Sequence, residues 1–152
     1  MVTTVANVDV LRRSYNRWIT SRGKEYRYWF DVFSAQFHFS SAGGGRNRPG
    51  YFQASEREEH LKAYFEGIVR DWKMIEFRTE EFIAQGDRVV VRIFCEWQYR
   101  RTGKTVSTHK LDYWRFEDGK AVEYYESFDT AAMIEAMTPD PVPERSVFCL
   151  PG

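Results

Sequence analysis

The chain has 152 residues, the size of one domain, and its 22 Lys plus Arg balance 22 Asp plus Glu; zero net charge excludes a phosphate-tracking surface and, with it, nucleic acid as a partner. Aromatic residues make up 17% of the chain, twelve of them Phe, more than a solid core of this size requires, and they suit an aromatic-lined cavity for a small molecule. Cys95 and Cys149 make no disulfide framework and read as reduced thiols; no stretch has signal-peptide character or the roughly 18 apolar residues of a membrane span, so a cytoplasmic protein without a membrane partner is expected.

Val8, Leu11, Tyr15, Trp18 and Ile19 recur at three- and four-residue spacings and predict an amphipathic helix capped by Asn7 or Asp9. Beyond Gly23, Tyr26, Trp29, Phe30 and Phe33 share a stripe, a short helix that leads into a brief strand at 36–40. SAGGGRNRPG at 41–50 reads as a mobile loop whose tip lies at a surface opening. Ser55-Glu56-Arg57-Glu58 has the form of a capping box, and Leu61, Tyr64, Phe65, Ile68 and Trp72 predict a third helix ending near Trp72. Four strands follow at 74–84, 88–100, 105–116 and 121–128, separated by turn signals, as an antiparallel meander. Residues 131–137 form a short helix capped by Asp129, and a proline-rich tail at 138–152 runs extended after a single domain at 1–137. Helices first and a meander afterwards indicate an α+β domain: a cone-shaped, curved antiparallel sheet closed by the N-terminal helices around a pocket.

The closing strand carries VEYYESFD at 122–129. Alternation puts Val122, Tyr124, Glu126 and Phe128 on one face, so a carboxylate stands among aromatics. In the third strand Val89, Val91, Ile93, Cys95, Trp97 and Tyr99 share an apolar face that should line the pocket. The turn at 117–119 decides whether Asp112 joins Glu126. A three-residue loop pairs Asp112 with Tyr124 and Lys110 with Glu126, which places both carboxylates on one face together with Trp114 and Phe128. A two-residue Asp118-Gly119 loop pairs Asp112 with Tyr125 and separates them. The first register is preferred.

GDRVVV at 86–91, RTGK at 101–104 and LDYWRFEDGKAVEYYESFDT at 111–130, in this order of elements, resemble the nuclear transport factor 2-like superfamily and, within it, the SnoaL-like polyketide cyclases and ketosteroid isomerases. The resemblance implies the cystatin-like α+β barrel and runs from Val8 to Met137. It sets Tyr124, Tyr125 and Glu126 at the positions of the cyclases' His-Trp-Asp, with Glu126 as acid/base. It also matches Asp112-Tyr113-Trp114-Arg115-Phe116 to the isomerases' Asp-x-x-x-Phe, with Asp112 as hydrogen-bond donor. The isomerases' proton-abstracting Asp has no counterpart in Phe37-His38-Phe39-Ser40, where His38 is the substitute. The Arg-x-Asp pair of limonene epoxide hydrolases falls on Ile93 and Cys95, which disfavours that chemistry. Tyr15 and Trp18 roof the pocket by the same resemblance.

A carboxyl group in such surroundings should have a raised pKa and exchange protons near neutral pH, which suits a cyclase, isomerase or dehydratase acting on a small apolar carbonyl or polycyclic substrate without metal or other cofactor. Glu126, Asp112 and His38 are the catalytic candidates. Tyr15, Trp18, Val91, Ile93, Cys95, Trp97, Lys110, Trp114, Tyr124 and Phe128 are the substrate-binding ones. The competing reading is a binding or dimerisation module in which Glu126 only bridges to Lys110. A homodimer through the sheet is expected in either case.

Overall fold

A computed structural model describes residues 3–143. Helix α1 (Thr4–Thr20) starts earlier than the sequence suggests, because the Thr3 side chain accepts from the Ala6 amide; Asn7 is instead buried within the helix. Helix α2 (Tyr28–Val32) leads directly into strand β1 (Phe33–Ser41), longer at both ends than expected. A 3₁₀ turn at Gly50–Phe52 precedes α3 (Glu58–Asp71). The capping box does not form: the Ser55 hydroxyl accepts from the Arg57 amide, and Ser55 is held in a bridge to Phe39 of β1 instead. Strands β2 (Trp72–Gln85), β3 (Arg88–Tyr99), β4 (Thr105–Glu117) and β5 (Lys120–Ser127) form the expected meander, and α4 (Thr130–Met137) follows with Asp129 accepting from the Ala132 amide. The predicted tail falls largely outside the described residues, as does Cys149.

The five strands form one curved, unclosed sheet in the order β1-β5-β4-β3-β2. It is mixed rather than purely antiparallel, since β1 lies parallel to β5 at the edge. Register shifts in β2 at Met74/Glu76 and Thr79/Glu81 insert extra residues opposite β3 and bend the sheet. The helices fill the concave side. Trp18 of α1 packs edge-on against Trp29, Phe65 and Phe77, and Trp29 stacks on Trp114 at 5.6 Å, so that helices and sheet share one aromatic core. Full burial of each such side chain contributes roughly 1.5–3 kcal/mol. Among the described residues no helix is long and apolar enough to cross a membrane.

One contact fixes the chain between β1 and α3. The Tyr51 ring lies flat on α3 at Gly67, where an added Cβ would stand 2.3 Å from ring carbon Cδ1. The phenol donates to Asp71 at 3.0 Å and accepts from the Trp72 indole at 3.2 Å. Gly67→Ala is therefore expected to expel the ring and lower stability by about 1–3 kcal/mol, beyond its gain in helix propensity. Urea denaturation checks this; an unchanged midpoint would mean that the loop yields at no cost.

Candidate active site

The hairpin follows neither register anticipated for it, yet reaches the preferred outcome. Asp118 and Gly119 both have positive φ, 50° and 79°, the signature of a two-residue primed turn, and Glu117 pairs with Lys120. Uncorrected, that turn would split the carboxylates. A bulge at Val122 on β5, opposite the step from Phe116 to Arg115 on β4, restores the parity, and Asp112 comes directly opposite Glu126.

Both carboxyls point inward and are 2% and 1% exposed. Asp112 Oδ2 accepts from the Tyr15 hydroxyl of α1 at 2.5 Å, and that hydroxyl accepts from the Trp114 indole at 3.0 Å. Glu126 Oε1 accepts from Ser41 at 2.7 Å, while Oε2 accepts from Tyr64 of α3 at 2.8 Å and from Lys110 Nζ at 2.7 Å. Lys110 Nζ also lies 3.3 Å from Asp112 Oδ1, with its side chain 13% exposed. Lys110 thus sits between the two acids, inside the protein. The bridge anticipated between Lys110 and Glu126 forms, and it is buried.

Tyr124 completes the network. Its hydroxyl oxygen is 2.9 Å from Glu126 Oε2 and 3.1 Å from Asp112 Oδ1. A hydroxyl has one proton, so only one of these contacts can use it; the other needs a proton on the carboxyl. The surroundings decide which. Removal from water is the largest influence on Asp112 and raises its pKa; the charge of Lys110 pulls it down, that of Glu126 pushes it up, and the net result is above the ordinary aspartate value. Removal from water also acts to raise Glu126, but the charge and hydrogen bond of Lys110, with those of Ser41 and Tyr64, outweigh it and hold Glu126 below the ordinary glutamate value. The raised pKa expected of a carboxyl on this face is found at Asp112, while that of Glu126 moves the other way. Tyr124 thus stands between a carboxyl whose surroundings favour the protonated form and one whose surroundings favour the ionised form. Burial foremost keeps Tyr15, Tyr64 and Tyr124 neutral donors, well above the ordinary phenol value. Burial opposes the charge on Lys110, but the acids beside it outweigh burial and hold its pKa well above the ordinary lysine value.

The network forms one wall of a cavity of about 90 Å³ whose other walls are aromatic and aliphatic. Tyr15, Trp18, Cys95, Trp97, Trp114 and Phe128 line it as the sequence suggests, with Lys110, Asp112, Tyr124 and Glu126. Val91 and Ile93 do not: they are fully buried on the same face, opposite Asp112 and Lys110, and support β4 from β3. Burial pushes the Cys95 thiol up to about 11, which leaves it unreactive at neutral pH. His38 is not part of the site. It faces outward between Phe37 and Phe39, 3.5 Å from Glu56, with half its side chain exposed. His109 likewise faces outward, 3.3 Å from Glu80.

Two members of the network were not singled out in the sequence. Tyr64 lies on the apolar stripe of α3, and a hydroxyl on such a stripe needs a buried partner, which is a readable signal. Ser41 left none; it meets Glu126 because β1 runs parallel to β5 in a register that sets the two side by side. Gly43 matters for a different reason. Its amide donates to Ser41 Oγ, and an added Cβ would stand 2.8 Å from the Phe52 ring at the cavity wall, so the glycine loop is packed onto the site.

Residues 11–124 match the sequence profile of the SnoaL-like domain. Solved structures of the same fold include an NTF2-like protein from Burkholderia thailandensis (20% identity, TM-score 0.74, covering 91% of this chain and 100% of that one). A candidate SnoaL-like polyketide cyclase from Jannaschia sp. CCS1 has 19% identity and a TM-score of 0.73 over 91% of this chain and 95% of that one. TerC, co-crystallised with polyporic acid, has 22% identity and a TM-score of 0.69 over 87% of this chain and 98% of that one. No match was found among curated proteins. At these identities the structural likeness shows the fold alone.

Proposed function

The chain belongs to the SnoaL-like domain family, and we propose that it is a cofactor-independent acid/base enzyme that moves a proton on a small, mostly apolar carbonyl compound, as an isomerase, cyclase or dehydratase does. The observation that carries the reading is the pairing of Asp112 with Glu126 across β4 and β5, joined through one Tyr124 hydroxyl on the wall of an aromatic cavity. Two acids whose surroundings drive their pKa values apart supply a base and an acid at the same pH. Glu126 accepts the proton α to the carbonyl, and Asp112 donates to the group on which charge develops. Transfer from Glu126 through Tyr124 to Asp112 then restores the starting state without recourse to solvent.

The cavity is small beside the roughly 300–1,000 Å³ of drug-sized sites, which narrows the substrate to a compound of one or two rings in place of a larger polycycle. TerC, which shares the fold, was co-crystallised with polyporic acid, and this supports an organic acid as the class of ligand. The same reading gives the protein a second copy of itself as partner, through the convex face where Ile83, Leu111 and Tyr125 are exposed.

The experiment is loss of the α-proton signal of cyclic ketones in D₂O, followed by NMR with and without the protein. Catalysed exchange supports the enzyme. Ketones that bind, by quenching of tryptophan fluorescence, but never exchange would assign a binding module instead.

A further inference from the structure

Forming an anion in an apolar cavity carries a large desolvation penalty unless a counter-charge is at hand. Among the described residues that line the cavity, Lys110 is the one cation. Its ammonium has three N–H groups; it donates to Glu126 Oε2 at 2.7 Å and lies 3.3 Å from Asp112 Oδ1, and it makes no further hydrogen bond among the described residues. Glu126 already receives Ser41, Tyr64, Tyr124 and Lys110. The groups that face Lys110 are therefore Asp112 and Glu126 on the sheet, Cys95 on β3, Tyr64 on α3 and, through Asp112, Tyr15 on α1 and Tyr124 on β5.

Resting on the acid/base reading above, we propose that Lys110 is the charge partner of the ionised substrate, exchanging Glu126 for a substrate oxygen as the proton moves, so that the site takes compounds whose anion is an enolate or phenolate. The step balances. The substrate C–H or O–H bond breaks and Glu126 O–H forms; the electron pair left behind is delocalised onto the substrate oxygen; Lys110 keeps its three protons. One buried ion pair exists before the transfer and one after it, and only the identity of the anion changes. No charge is created unpaired, and Nζ needs to turn only from one oxygen to its neighbour. A neutral donor in its place would bind ketone and enolate with less discrimination, whereas a cation favours the state in which charge has developed.

The probe is 4-nitrophenol, one ring in size, whose visible absorbance distinguishes phenol from phenolate. Binding is measured against pH for wild type, Glu126→Gln and Lys110→Met/Glu126→Gln, the double variant keeping the buried site free of net charge should Lys110→Met alone fail to fold. The amide introduced by Glu126→Gln mimics the protonated glutamate, so this variant should bind the phenolate at least roughly tenfold more tightly than wild type, with the ionisation of the bound phenol lowered to match by linkage. The double variant should lose that preference and hold the neutral phenol. Equal phenolate affinity in Glu126→Gln and the double variant overturns the role of Lys110 and leaves the acid/base reading to stand on proton exchange. A wild-type protein and variants that bind neither form overturn both.

Discussion

Lys110→Met is expected to lower folding stability by about 3–5 kcal/mol, the cost of leaving a buried charge without its partner. Glu126 is 1% exposed, and Lys110 is the cation bonded to it. Exposed pairs such as Lys62–Glu66, at 3.8 Å on α3, should by contrast contribute no more than about 1 kcal/mol. Lys110→Met/Glu126→Gln should recover much of the loss, since neutral side chains of similar volume satisfy an apolar interior. The dependence on pH has a definite sign. The depressed pKa of Glu126 contributes stability that is present above the ordinary glutamate value and lost as pH falls through the folded one. The raised pKa of Lys110 contributes stability present below the ordinary lysine value and lost as pH rises through the folded one. The pair is thus fully effective between the two ordinary values. In Lys110→Met only the hydrogen bonds of Ser41 and Tyr64 still hold Glu126 down, so the gap between variant and wild type should narrow as pH falls below about 4. Denaturant midpoints at neutral and acidic pH check this; a gap independent of pH would mean that the lysine stem, and not its charge, supports the fold.

Glu126→Gln is expected to slow α-proton exchange by about 10²–10⁴-fold, the usual contribution of a positioned general base. The amide keeps the shape and its one oxygen can accept from Ser41 or from Tyr64, which bond different oxygens of the carboxylate, but it takes no proton. The fold should survive better than in Lys110→Met, because the charge left without its partner is on the more exposed side chain, 13% for Lys110 against 2% for Glu126. Exchange at the wild-type rate in a folded Glu126→Gln protein would remove Glu126 from the chemistry.

Much of this architecture can be read from local pattern, and the exceptions share a cause. Period-two alternation in VEYYESFD gives the inward face of β5, and the helical stripes give α1 and α3. Alternation also gives the outward direction of His38, which lies between two buried phenylalanines, and only the family resemblance sets it at a catalytic position. The hairpin needed more. The Asp118-Gly119 turn is a local signal, but the bulge that brings Asp112 back beside Glu126 has no signature in the residues around it. The protonation states are less local still. Glu126 is surrounded in sequence by aromatics, which argues for a raised pKa, yet Ser41, Tyr64 and Lys110 reach it from three other elements and reverse the direction. Sequence neighbours fix which face a group occupies; contacts between distant elements fix its charge.

The claim on which the mechanism depends is that one carboxyl of the pair, Asp112, carries a proton at neutral pH while the other does not. Infrared spectroscopy of protein labelled with ¹³C-carboxyl aspartate measures this directly. A free-acid carbonyl stretch at neutral pH that shifts with the label and disappears in Asp112→Asn is the predicted result. A spectrum in which every aspartate is ionised at that pH, or a free-acid band that survives Asp112→Asn, would contradict it.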